Sequence, residues 1–102
     1  MILEHALLTV DPGRRAAFEA AFAQAEALIA AMPGFRWLSL SRCLERTDGY
    51  LLLVGWDRLE DHTVGFRGST EYQEWRSLLH RFYDPFPVVE HYATVLTAGP
   101  AR

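Results

Sequence analysis

The stretch FRWLSLSRCLERTDGYLLLVGWDR, Phe35 to Arg58, decides the fold. Two β-rich runs, FRWLSLSRCLER (35–46) and YLLLVGWDR (50–58), flank TDG (47–49), and an Asp-Gly pair between such runs predicts an antiparallel hairpin. Tyr50, Leu52, Val54 and Trp56 alternate with Leu51 and Leu53, and Phe35 and Trp37 alternate with Leu38 and Leu40. Both faces of the hairpin are therefore apolar, whereas a sheet wetted on one side reads polar on that side.

Upstream of the hairpin, Asp11-Pro12 supplies an N-cap followed by a proline suited to the first helical turn. Phe18, Phe22, Ala25, Ile29 and Met32 then form one apolar stripe, and Pro33-Gly34 ends the helix. The β-rich run Ile2 to Val10 precedes it. Downstream, Leu59 to Arg67 reads as a short helix closed by Gly68. Ser69 caps a second helix on which Tyr72, Trp75, Leu79 and Phe82 keep helical spacing. Asp84-Pro85-Phe86-Pro87 stops that helix and leads into a last strand, VVEHYATVL (88–96). The order β-α-β-β-α-β predicts an α+β, ferredoxin-like split βαβ domain with a four-stranded antiparallel sheet, covering residues 1–96, followed by a flexible tail, 97–102. Two helices cover only one face of such a sheet. The apolar second face is expected to meet another copy of itself, making a homodimer.

Composition narrows the setting. The chain has 102 residues, 50% of them hydrophobic, with a formal net charge of -3. That balance lacks the basic footprint of a nucleic-acid binder. Cys43 is the single cysteine, which rules out an internal disulfide, and no closely spaced Cys/His cluster marks a metal site. The N-terminal MILEHALLTV has no basic flank, and no apolar run approaches the roughly 20 residues of a membrane span. A cytoplasmic protein with no membrane partner is expected.

Two adjacent Glu-His pairs, Glu4-His5 and Glu90-His91, sit on the first and last strands, which are neighbours in this topology. Adjacent strand residues point to opposite faces, so each pair puts one polar group on each side of the sheet. If the strands bring the pairs together, the result is either a structural ion pair or a tuned acid/base. His62 shares a face with Leu59 and Phe66 on the short helix and is expected to point inward, where a neutral imidazole suits general-base work. His80 falls one step off the Leu79 stripe and is expected in solvent. Phe66, Tyr72, Trp75, Phe82, Tyr83 and Phe86 are dense enough to line a slot for a flat ring, and Arg67 and Arg76 could hold an anionic group. Cys43 has no evident base beside it, so nucleophilic catalysis is not expected.

YLLLVGWDRLEDH (50–62) followed by FRGSTEYQEWRSLLHRFYDPFPVVEHY (66–92) resembles the antibiotic biosynthesis monooxygenase (ABM) domain of the dimeric α+β barrel superfamily, over roughly residues 2–96. The resemblance implies protomers joined through their sheets into a barrel, with a ligand cavity between sheet and helices. It implies oxygenation of phenolic substrates without metal or flavin, haem degradation, or isomerisation. Haem-degrading members carry an Asn, a Trp and a His at places that align with Ala6, Phe66 and Arg76 here, which argues against that branch. A first-strand histidine, at His5, is similar to plant polyketide cyclases of the superfamily and keeps a non-oxidative chemistry open. The expectation is a cofactor-independent, monooxygenase-like enzyme that oxygenates a small planar phenol or enol. His62, His5 or His91 would be its base, and Phe66, Arg67, Tyr72, Trp75 and Arg76 would bind substrate. The alternatives are an isomerase or cyclase using the same base without oxygen, and a non-enzymatic dimer that binds a small molecule.

Overall fold

The computed structural model describes residues 1–100, so Ala101 and Arg102 at the end of the expected tail lie outside the described residues. Strands β1 (Ile2–Thr9), β2 (Phe35–Arg42), β3 (Gly49–Trp56) and β4 (Val89–Ala93) form one antiparallel sheet in the order β2-β3-β1-β4. Helices α1 (Arg15–Ala30) and α2 (Thr70–Leu79) cross one face of it, which is the ferredoxin-like arrangement the element order predicts. Among the described residues no helix is long and apolar enough to cross a membrane.

The hairpin forms with Leu40 opposite Leu52 and Arg42 opposite Tyr50. It is shorter than expected. Beyond Arg42 the strand leaves the sheet, with Cys43 N donating to Gly49 O at 2.8 Å and Gly49 N to Arg46 O at 3.2 Å across the turn. Leu44 has no strand beside it and is almost fully exposed. A bulge between Phe35 and Trp37 also corrects the expected alternation. The extra residue turns Phe35 to the helical side, where its ring meets Trp56 edge-on at 5.9 Å, while Trp37 keeps to the other face. Gly55 makes room for Trp37, because a Cβ there would lie 2.6 Å from the indole Nε1.

Asp11 accepts from Gly13 N at 2.8 Å and starts a 3-10 turn, Pro12–Arg14, which runs into α1. Phe18, Phe22, Ala25 and Ile29 of α1 are buried against Ala6, Leu8, Tyr50, Leu52, Val54 and Trp56 of the sheet. A polar clamp ties helix to sheet at its edge. Arg42 grips Glu19 with two donors at 2.7 and 2.8 Å, and Tyr50 Oη donates to the same carboxylate at 2.6 Å. The Arg42 and Tyr50 hydrogen bonds hold the Glu19 carboxyl down at about 2. Ser69 Oγ accepts from Tyr72 N at 3.1 Å, as expected of an N-cap, and Trp75 and Leu79 of α2 are buried.

The other sheet face is uncovered in the single chain. Leu3, Trp37, Leu51 and Leu53 are half-buried there, and Leu7 and Tyr92 are 52% and 46% exposed.

Candidate functional site

Strand alternation divides the two Glu-His pairs between the faces of the sheet, and the register sets each residue against its opposite number. Glu4 lies across from His91 and His5 across from Glu90. Glu4 and His91 are on the helical side, as are the buried Ala6 and Leu8 two and four positions from Glu4. His5 therefore points away from the helices. Its ring meets Tyr92 edge-on at 5.6 Å, and Nδ1 is buried with no hydrogen-bond partner among the described residues.

A cavity of about 390 Å³ lies between sheet and helices. Its floor is Ala6, Leu8, Leu52 and Val89, and its walls include Phe66, Tyr72, Trp75 and Tyr83. Only a few polar groups enter it, chiefly Glu4, His62, Arg67 and His80. Apolar walls with sparse, placed polar groups are the usual character of a small-molecule site.

His62 reaches the cavity from a π-helical segment, Asp61–Phe66, rather than from the expected α-helix 59–67. The wider turn, closed by Arg67 N donating to His62 O at 3.1 Å, turns His62 and Phe66 inward together and leaves Leu59 exposed, against the expected stripe. His62 is 3% exposed and Glu4 6%. Trp56 holds both: its indole stacks on the imidazole with a 20° interplanar angle, and its Nε1 donates to Glu4 Oε1 at 3.0 Å. His62 Nδ1 stands 2.8 Å from His91 Nε2, and His62 Nε2 stands 3.4 Å from Glu4 Oε1.

Burial dominates the electrostatics. It raises the Glu4 carboxyl from 4.5 to about 7, which the Trp56 hydrogen bond and the charge of Arg67 oppose only in part. Burial also lowers His62 to about 3, and the charges of Arg67 and His91 act in the same direction. His91 is lowered by burial and by Arg67. The 3.4 Å approach of His62 to Glu4 has the spacing of an ion pair, but burial favours the uncharged form of each, so near neutral pH the contact joins a neutral imidazole to a half-ionised carboxyl. A carboxyl that titrates near neutrality at the edge of an apolar cavity can take a proton and return it.

Of the residues singled out in the sequence, Phe66, Arg67, Tyr72, Trp75 and His62 line the cavity, and His91 touches it through His62. Arg76 is exposed on α2 and is not a lining residue, and His5 is on the opposite face. His80 departs from expectation. The chain tightens after Leu79 into a 3-10 turn, His80–Phe82, which sets the half-buried ring among Tyr72, Tyr83 and Phe86 on the cavity wall. Burial, then the charge of Arg76, lowers its pKa. Glu4 and Trp56 are the residues that sequence reasoning did not assign to the site. The signal for Glu4 was the reciprocal Glu-His pairing, which needed the register to be read.

Comparison with known proteins bears on the family and the fold. The family model described as Antibiotic biosynthesis monooxygenase matches residues 1–78. The uncharacterized protein YczJ of Bacillus subtilis (strain 168) is 57% identical over 95 residues, spanning 93% of this chain and 100% of YczJ. An antibiotic biosynthesis monooxygenase-type structure from Bordetella bronchiseptica superposes with a TM-score of 0.88 at 40% identity, covering 93% of this chain and 97% of that one. SnoaB, a cofactor-independent oxygenase from Streptomyces nogalater, shares the fold with a TM-score of 0.81 at 19% identity, over 94% of each chain. The extent of the family match and the identity to these relatives show that the chain belongs to the antibiotic biosynthesis monooxygenase family.

Proposed function

We propose that this protein oxygenates a small planar phenol or enol by base-assisted reaction with dioxygen, without a cofactor, and that Glu4 is the base. The observation that carries the reading is a buried carboxyl, raised to about 7, on the wall of an aromatic-lined cavity of about 390 Å³. His62, the base expected from sequence, is less suited to proton abstraction, because burial makes it a weak base and its two nitrogens face Glu4 and His91. General-base efficiency is greatest when the pKa lies near the working pH.

In this reading Phe66, Tyr72 and Trp75 hold the ring and Arg67 stabilises the negative charge that develops on the substrate oxygen. Glu4 removes a proton from the activated CH2 group of the substrate's keto tautomer, giving the enolate carbanion. The carbanion gives one electron to dioxygen, and recombination forms a carbon-bound peroxide anion. Return of a proton and loss of water leave a carbonyl, so one atom of dioxygen enters the product and the other leaves as water. That SnoaB, of the same fold, is a cofactor-independent oxygenase supports the absence of a cofactor from the scheme. The uncovered apolar sheet face supports a homodimer, which would close the sheets into a barrel.

The test is product mass after incubation with anthrone-type, quinol and enol substrates under isotopically labelled dioxygen. One labelled oxygen per product molecule is expected. A product of unchanged mass would replace oxygenation with isomerisation or cyclisation by the same base.

A further inference from the structure

We propose that His62 and His91 form a proton wire linking Glu4, at the cavity wall, to solvent at the edge of the sheet. The inference rests on the reading of Glu4 as the base, and it answers a problem that reading creates. A substrate that fills the cavity covers Glu4, which is only 6% exposed to begin with, so a Glu4 that is protonated when substrate enters needs another way to lose that proton before it can act as the base.

The geometry provides one. His62 Nδ1 and His91 Nε2 are 2.8 Å apart, and two neutral imidazoles at that distance share one proton between them. On the other side of the ring, Nε2 is 3.4 Å from Glu4 Oε1, a gap that a small side-chain rotation closes and that catalytic contacts commonly show before substrate binds. His91 is half-buried on β4, the edge strand, so its ring reaches solvent. His91 is also absent from the cavity lining, so it touches the chemistry only through His62.

Protons balance without charging either ring. When Glu4 is an acid, it donates to His62 Nε2, and His62 Nδ1–H donates to His91 Nε2. The Glu4 proton passes to His62 Nε2, the His62 Nδ1 proton passes to His91 Nε2, and the proton on His91 Nδ1 leaves to water. Glu4 is then a carboxylate facing His62 Nε2–H, and both histidines have changed tautomer while staying neutral. The reverse sequence re-protonates a free Glu4 carboxylate from solvent; within a turnover the proton that Glu4 takes from the substrate is the one it returns to the peroxide anion. This explains why a histidine held well below its ordinary pKa occupies the centre of the path: it relays a proton without resting as a cation. The other groups acting on the path are Arg67, whose charge disfavours protonated His62 and His91, Trp56, which donates to Glu4, and Tyr83, a phenol that burial keeps neutral.

Long-range 1H–15N spectra of the histidine rings of the wild-type protein test the wire, with His91→Gln used only to assign signals. Across the pH range in which Glu4 titrates, the protonated nitrogen of His62 is expected to switch from Nδ1 to Nε2, and that of His91 to switch in the same step. A His62 that keeps one tautomer throughout, or a His91 that switches independently, would overturn the wire. A purely structural histidine pair would show neither switch. Because the readout needs no substrate, it is separable from the functional reading: linked switching without oxygenation sinks the oxygenase and keeps the wire, and oxygenation without linked switching does the reverse.

Discussion

At the scale of single residues, the proposed chemistry turns on one carboxyl, that of Glu4, whose burial weakens it as an acid. Glu4→Gln keeps size and the Trp56 contact but cannot take a proton, so turnover of an anthrone-type substrate is expected to fall about 100-fold or more, with the fold intact by circular dichroism. The wild-type rate should rise with pH through about 7 as Glu4 ionises. Stability should move the other way. The folded state holds the Glu4 proton up to about 7 while the unfolded chain releases it near 4.5, so between those values the folded protein loses stability as pH rises. The full loss is on the order of 3 kcal/mol, and Glu4→Gln should flatten the decline in a series of melting curves. Glu19 is the opposite case. Held at about 2 by Arg42 and Tyr50, it stabilises the fold above 4.5 and ceases to do so as pH falls toward 2, so Glu19→Gln should weaken the acid side of the same curve.

At the scale of elements, the π-helix is the device that aims His62, and its seat is the turn before β2. Gly34 has φ of 82°, and a Cβ there would run into the Asp61 side chain at the head of the π-helix. Asp61 in turn accepts from Arg58 N at 3.0 Å. Gly34→Ala is therefore expected to cost about 1–2 kcal/mol from the backbone alone and to disturb the His62 ring signals, read by denaturation and by NMR. This element also marks where the sequence stops being legible. The existence of the hairpin, the α1 stripe from Phe18 to Ile29 and the Ser69 cap follow from local patterns and appear in the structure, the hairpin shortened to Arg42 and bulged at Phe35/Trp37. The π turn does not, because its inward pair His62 and Phe66 also fits an α-helical stripe, and only Leu59, exposed in the structure, betrays the difference. The Phe35/Trp37 bulge and the inward turn of His80 are set by packing against distant strands and helices, which local spacing does not encode. For the site, the inward His62 and the aromatic walls could be read early, whereas the importance of Glu4 depended on a register between residues far apart in the chain.

At the scale of the whole molecule, the sheet separates the cavity side from an uncovered apolar face. The helical side holds the cavity, and the outer side presents Leu3, Trp37, Leu51 and Leu53 around the bulge that sets Trp37 across Gly55. If this face joins two copies, sedimentation should give twice the chain mass of 11.6 kDa, and Leu53→Lys should return it toward the single chain. The two faces meet at β1, where His5 points to the uncovered side and Glu4 to the cavity. The most direct test of the central claim needs neither partner nor substrate. A 13C titration of the glutamate carboxyls, with Glu4→Gln to identify the signal, should show Glu4 changing charge near 7. A Glu4 midpoint at the ordinary value of 4.5 would contradict the account, since a carboxyl of that strength on the cavity wall would be an ordinary anion and not a base set for neutral pH.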